Sequence, residues 1–483
     1  MTAVKPALKI ATFIMLIWGC LMGVTVLLAD WSTAQEVRAM VLSALVCLAV
    51  AVACMLLSRG PSIRMKAKPM FLVTAVNWGL LCLTGALPLY LGWPELSFID
   101  ALFESVSGVT TTGSTILIGL DDGPRTLILW RSLMQWVGGI GIILMAVAVL
   151  PFLKVGGMRL FKTESSEWSN IQNTRVRTVA TQIGVVYILL TALAVAVYWA
   201  LGMTGFNALN HALTSLATGG YSTSDSSFGQ FDSNALIWAG SSFMLLGGLP
   251  FLLYVQSLHD RAWHIARDAQ VQLLFKLVAA AALAMTVHRL LTGSSESFFH
   301  ALTHAVFNIT SVVTTTGYAT EDYTLWGSFS LMLFVFLMFS GACSGSTSGG
   351  TKLFRFQLLG LLLREHLFKS LHPSGHFQRT YNHRPVGEGV LVASLAYLFV
   401  MLVSLLLFSI ALTLTGLDAV TAGSAALTAL MNVGPGFGEV IGPAGNFSTL
   451  PDTAKVILCL AMLLGRLEYM ALLILFTPAF WRW

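Results

Sequence analysis

Apolar residues run along this chain in blocks of roughly twenty, separated by shorter polar stretches. The blocks cover approximately residues 10–29, 39–57, 70–93, 127–152, 178–202, 235–257, 271–292, 326–342, 386–416 and 454–480. A helix rises ~1.5 Å per residue, so about twenty apolar residues match the ~30 Å hydrocarbon core of a bilayer. The pattern therefore predicts an all-α polytopic membrane protein with about ten spans. The first block follows Lys5 and Lys9 and has no small-residue cleavage site, which reads as a retained span rather than a signal peptide.

A weaker pattern is written four times over the blocks: apolar span, short semi-polar helix, loop rich in Thr and Gly, apolar span, with the fourth loop diverging from the other three. The loops read Ser107-Gly-Val-Thr-Thr-Thr-Gly-Ser-Thr115, Ser215-Leu-Ala-Thr-Gly-Gly-Tyr-Ser-Thr223, Ser311-Val-Val-Thr-Thr-Thr-Gly-Tyr-Ala-Thr320 and Leu430-Met-Asn-Val-Gly-Pro-Gly-Phe-Gly438. The short helices before them are expected at about 97–109, 206–217, 297–312 and 418–431, too short to cross a bilayer. They dip in and stop at mid-depth, where irregular backbone is tolerated only if it is buried or lines a water-filled path.

That arrangement suits a dehydrated cation. Backbone carbonyls and threonine hydroxyls supply oxygen ligands, and glycine permits the positive-φ turn that aims them. A helix C-terminus pointing at the membrane centre adds partial negative charge. One loop offers too few ligands, whereas four around an axis complete a cage. Close helix packing is the competing use of such glycines, and it accounts for one loop better than for four.

Composition and charge refine the picture. The chain has 483 residues, 56% hydrophobic and 10% charged, well under the ~25% charge of soluble domains. Basic residues gather in alternate loops: Arg59, Arg64, Lys66 and Lys68; Lys154, Arg159, Lys162, Arg175 and Arg177; Arg261 and Arg267; Lys352, Arg355, Arg364, Lys369, Arg379 and Arg384. These loops are expected on the cytoplasmic side, with both termini. The opposite loops carry Glu95, Asp100, Asp121, Asp122, Asp225, Asp232, Glu296, Glu321, Asp322, Glu439 and Asp452. The net charge of +5 is thus a topological bias and points to no nucleic acid. The six cysteines lie in apolar segments without metal-ligand spacing and imply no disulfides. No catalytic triad, hydrolytic carboxylate pair or soluble catalytic domain is present, which argues against an enzyme.

Thr110-Thr-Thr-Gly113, Thr218-Gly-Gly-Tyr-Ser-Thr223, Thr314-Thr-Thr-Gly-Tyr318, Asn432-Val-Gly-Pro-Gly436, the glycine-rich break at 341–351 and Gly465-Arg-Leu-Glu468 together resemble the Trk/Ktr/HKT superfamily of potassium transporters, on the side of the bacterial TrkH/TrkG/TrkI-type membrane subunits. The likeness covers essentially the whole chain. It implies four M1–pore helix–M2 units around a pseudo-fourfold pore, after two N-terminal helices: 1–68, then 69–160, 161–262, 263–384 and 385–483. It also implies a homodimer in the bacterial inner membrane.

Carried across, the potassium filter would be Thr111, Thr112 and Gly113; Thr218, Gly219 and Gly220; Thr315, Thr316 and Gly317; and, in the fourth loop, Asn432, Val433 and Gly434. The aromatic that follows glycine in two other loops (Tyr221, Tyr318) instead aligns Phe437 and favours Gly436 in the fourth. Potassium is the expected ion, with rubidium and sodium as lesser permeants; the resemblance places no metal other than K+, and that at the filter.

Below the filter, Gly341-Ala-Cys-Ser-Gly-Ser-Thr-Ser-Gly-Gly-Thr351 interrupts an apolar block. Its spacing lacks the Gly-Lys step of a phosphate-binding loop. By resemblance it is a gate, involving Gly341, Ser344, Gly345, Ser346, Gly349, Gly350 and the intramembrane Arg466. Arg466 and Glu468 equally suit a structural ion pair. His300 and His304, one helical turn apart, lie on the third short helix without an accompanying acidic ligand and read as packing and hydrogen-bonding residues. The family's cytoplasmic partner is a TrkA-type ring of RCK domains, through which any ATP or NAD(H) response would act; no cofactor is expected in this chain. A proton- or sodium-coupled potassium symporter is the alternative function.

Overall fold

The computed structural model describes residues 4–28, 33–59, 67–148, 173–260, 262, 264–294, 297–382 and 384–481. The basic cluster Lys154, Arg159 and Lys162, with Arg64, Lys66, Arg261 and Glu296, lies outside them. The described chain is mostly helical, and its strands form one two-stranded hairpin, β1 (Thr380–Tyr381) and β2 (Arg384–Pro385).

Helices α1 (Val4–Leu28) and α2 (Ala34–Leu57) pack on each other and on α3 (Ala67–Gly92). Thr33 caps α2 in a reciprocal capping box with Glu36. Then come α4 (Phe98–Val109), α5 (Arg125–Ala148), α6 (Asn173–Ala200), α7 (Gly205–Leu216), α8 (Asn234–Gly248), α9 (Phe251–Asp260), α10 (Ala269–Leu291), α11 (Phe298–Val313), α12 (Ser328–Ser340), α13 (Leu353–Leu371), α14 (Glu388–Thr413), α15 (Ala419–Met431), α16 (Asp452–Arg466) and α17 (Met470–Leu473). The short helices α4, α7, α11 and α15 lie within a residue of their expected bounds.

Among the described residues, 7 helices are long and apolar enough to cross a membrane, or 9 if each of two bent pairs is one span. This is a multi-pass membrane protein. Three apolar blocks are not straight spans. The block at 235–257 bends by 86° between α8 and α9, because Pro250 removes a helical donor and pushes Leu249 into extended backbone (φ −85°, ψ 155°). The block at 454–480 bends by 107° after Arg466, where Glu468 and Tyr469 take positive φ. The block at 326–342 yields only the 13-residue α12 before the glycine-rich break.

Each short helix packs against the long helix before it and the one after it. The inner elements also touch in a closed circuit: α4 on α5, α5 on α7, α7 on α8, α8 on α11, α11 on α12, α12 on α15, α15 on α16, and α16 back on α4. The loops that end the four short helices therefore meet at one centre. Leu27, Leu45, Leu189, Leu283 and Phe399 leave large apolar surfaces exposed on the outer helices, as lipid contact requires.

Candidate ion pore

All four loops at that centre have one backbone. Thr111, Thr218, Thr315 and Asn432 stand in left-handed conformation, at φ 52°, 49°, 57° and 54°. Two residues later, Gly113, Gly220, Gly317 and Gly434 have φ 87°, 77°, 84° and 115°. The hydrogen bonds repeat as well. Thr111 N donates to Gly108 O and Thr112 N to Ser107 O; Thr218 N donates to Ser215 O and Gly219 N to Thr214 O. In the third loop Thr315 N donates to Val312 O and Thr316 N to Ser311 O; in the fourth Asn432 N donates to Ala429 O and Val433 N to Thr428 O.

This is the Schellman ending of a helix, with its left-handed position usually held by glycine. Here that position is held by threonine three times, although a β-branched residue at positive φ is costly, of order 1–3 kcal/mol. Strain repeated at equivalent places marks a backbone held for a purpose beyond stability. The shared geometry also decides the fourth register: Asn432, Val433 and Gly434 occupy the three positions, and Gly436 lies beyond them.

The glycines interlock. A Cβ on Gly113 would press on Gly219 O, one on Gly220 on Thr316 O, and one on Gly317 on Val433 O, each closer than the 3.0 Å that real Cβ atoms respect. A Cβ on Gly434 would stand 2.9 Å from Thr112 O. First loop touches second, second third, third fourth, and fourth first. Ser114 Oγ donates to Gly434 O (2.7 Å) and Asn432 Nδ2 to Thr112 Oγ1 (2.9 Å), tying the fourth loop to the first. Above them opens a cavity of about 290 Å³ whose lining includes Gly113, Gly220, Gly317 and Gly434 together. Asp225 is the sole carboxylate in that lining, so most acidic residues of these loops face elsewhere. Thr111 Oγ1 and Asn432 Oδ1 are buried acceptors without a hydrogen-bond partner.

Buried polar side chains missed in the sequence brace the ring. Arg131 Nε binds Glu104 Oε1 (2.7 Å), both fully buried, and Glu104 Oε2 accepts from Ile116 N (3.0 Å). The Arg131 guanidinium also lies 4.1 Å over the Tyr221 ring. Gln135 donates to Gly219 O (2.6 Å) and accepts from Tyr221 N (3.0 Å). The available signal was charge inside apolar segments, which needs a partner.

The profile of the TrkH family, described as a cation transport protein, matches residues 37–482. The chain belongs to this family. It is 45% identical over 99% of its length to the Trk system potassium uptake protein TrkI of Halomonas elongata, covering 97% of that protein. It is 36% identical to the Trk system potassium uptake protein TrkH of Escherichia coli, covering 86% of this chain and 87% of that one. The crystal structure of the potassium transporter TrkH from Vibrio parahaemolyticus superposes with a TM-score of 0.91 at 31% identity, across 99% of each chain. TrkH-family membership makes this chain a transporter rather than an enzyme.

The glycine-rich break of this TrkH-family chain lies directly beneath the ring. Gly341, Gly345 and Gly350 turn at φ 62°, 79° and 73°. Ser344 N donates to Gln270 Oε1 (2.8 Å), and Ser346 Oγ to Cys343 O (2.6 Å). Upward, Thr218 Oγ1 donates to Thr347 Oγ1 (3.1 Å) and Gly349 N to Thr315 Oγ1 (2.6 Å). A Cβ on Gly349 would be 2.9 Å from Asn432 Cβ. The segment thus abuts the first-position residues of three loops.

Arg466 is buried. Its NH1 donates to Thr347 O (2.9 Å) and its NH2 to Gly138 O on α5 (3.3 Å). The ion-pair alternative for Arg466 and Glu468 does not hold. Glu468 pairs with Arg355 (2.5 Å), because the bend after Arg466 turns it toward α13. The reading of His300 and His304 as lacking an acidic companion is also corrected: the third loop returns Glu321 to them.

Proposed function

We propose that the chain is the membrane subunit of a Trk-type potassium uptake system and conducts through a gated, channel-like pore. The closed ring of four equivalent turns, all lining one cavity, carries this reading. Residues 69–160, 161–262, 263–384 and 385–483 act as the pore units. Oxygens of Thr111, Thr112 and Gly113, Thr218, Gly219 and Gly220, Thr315, Thr316 and Gly317, and Asn432, Val433 and Gly434 replace the hydration shell of K+. The unpartnered Thr111 Oγ1 and Asn432 Oδ1 suit that task, since buried acceptors seek a ligand. The names of the TrkI and TrkH relatives support potassium as the ion.

The gate is the 341–351 segment, held up by Arg466, and conduction requires it to leave the ring. Its displacement breaks the bonds from Thr218, Gly349 and Arg466. The subunit pairs as a homodimer in the bacterial inner membrane with both termini cytoplasmic. Residues 352–384 meet a TrkA-type RCK ring, which carries any nucleotide response. Rubidium flux into proteoliposomes, with voltage and pH gradients imposed separately, tests the proposal. Flux that follows voltage alone supports a channel. Flux that requires a proton or sodium gradient replaces it with the coupled symporter, and no flux even with the partner ring sinks the pore.

A further inference from the structure

Away from the pore axis, three potential metal ligands converge: His300 and His304 on α11 and Glu321 in the segment leaving the third loop. Their ligand atoms lie within 4.8 Å of one another, the one such cluster among the described residues. Glu321 Oε1 is 3.3 Å from His304 Nδ1 and 3.7 Å from His300 Nε2. Ligands bound at ~2.0–2.1 Å around a tetrahedral zinc ion are about 3.3 Å apart, so these spacings are near those of a formed site. Two histidines at i and i+4 on one helix face, completed by a carboxylate, are a recurrent zinc-binding plan.

The carboxylate is already oriented. Its other oxygen, Oε2, accepts from Arg289 NH2 (2.8 Å) and Trp326 Nε1 (3.1 Å), and Arg289 lies 4.1 Å over the Trp326 ring. Those bonds leave Oε1 turned to the imidazoles, the division of labour expected of a ligating carboxylate with hydrogen-bonded support. His304 Nδ1 now shares Thr320 Oγ1 (2.9 Å). Thr320 keeps a bond from Asn308 Nδ2 (2.9 Å) if His304 turns to a metal. The His300 side chain is 53% exposed, which provides an entry path and room for a water as fourth ligand.

We propose that His300, His304 and Glu321 form a binding site for a divalent transition-metal ion of the zinc class. Glu321 stands four residues after Gly317, so the bound ion would clamp the third pore helix to the outgoing arm of its own loop and brace that loop from outside. The site is independent of which ion uses the pore.

The test is zinc binding to the purified full chain in detergent, by competition with a chromophoric chelator, alongside thermal melting with and without zinc. The wild type should bind one zinc per chain and melt higher with it. His300→Ala, which removes a half-exposed side chain, should weaken binding about 10–100-fold or more and abolish the melting shift. Glu321→Gln should do the same. His264→Ala, which removes the separate pairing of His264 with Asp260, should leave both readouts unchanged. Absence of zinc binding to the wild type overturns the proposal, as does binding undiminished by His300→Ala.

Discussion

Serine at Gly113 or Gly317 should cost the pore much of its preference for potassium over sodium. Both glycines have strongly positive φ, 87° and 84°, where a side chain costs about 1–3 kcal/mol. Each also faces a carbonyl of the next loop, Gly219 O or Val433 O, closer than 3.0 Å to the new Cβ. Backbone must move to relieve that contact. The ring is closed, so a loop that retreats from one neighbour disturbs the other. Gly119 offers an internal control, with φ 74° and nothing within 4 Å of an added Cβ: Gly119→Ser carries the backbone cost alone. A loss of only 1.4 kcal/mol in the differential binding of the two ions is about tenfold in selectivity. We therefore expect Gly113→Ser and Gly317→Ser to lower the potassium-to-sodium flux ratio by about tenfold or more, with Gly119→Ser near wild type. Competitive uptake of rubidium and sodium in proteoliposomes measures it. Wild-type ratios in both pore variants, with the proteins folded, would refute the reasoning, and an equal loss in Gly119→Ser would refute the ring contact as its cause.

Arg466→Ala removes two charge-assisted bonds, to Thr347 O and Gly138 O; at about 1.5–3 kcal/mol for each such bond, resting rubidium flux should rise about 100-fold or more. Unchanged flux at every imposed potential would remove Arg466 from the gate. Glu104→Gln breaks a fully buried ion pair with Arg131 and should destabilise the fold by about 3–5 kcal/mol, seen as a lower melting temperature in detergent; a wild-type melt would contradict this. At the polar end of α13, hydrogen bonds from Arg379 and Lys369 hold the Glu365 carboxylate down to about 2. A depressed folded value means that the clasp contributes fully above the ordinary carboxylate range of about 4.3 and fades only as pH falls toward the folded value. Proteolysis of the 372–385 segment should therefore be flat from about pH 5 to 8 and should increase in Glu365→Gln.

Much of the architecture is legible along the chain because bilayer thickness and helical rise act locally. They set the length of α1 through α3 and the shortness of α4, α7, α11 and α15, each expected within a residue of its observed bounds. The break after α12 is equally local, since glycines and small polar residues cannot continue an apolar helix. The bend after Arg466 was not legible: no proline marks it, and it rests on Glu468 and Tyr469 adopting positive φ within the packed core.

By itself the sequence determined that this is a helical membrane protein and that four short helices end in glycine-containing turns, three of them with threonine. Only the tertiary structure decided how the turns meet. The fourth register became Asn432 to Gly434 because its left-handed and glycine positions align with those of Thr111 to Gly113. Arg355 took Glu468, Glu104 took Arg131, and Glu321 reached His300 and His304. The physical reason is range. Periodicity and turn chemistry act over a few residues, whereas the partner of a buried charge depends on which helices the closed circuit brings together.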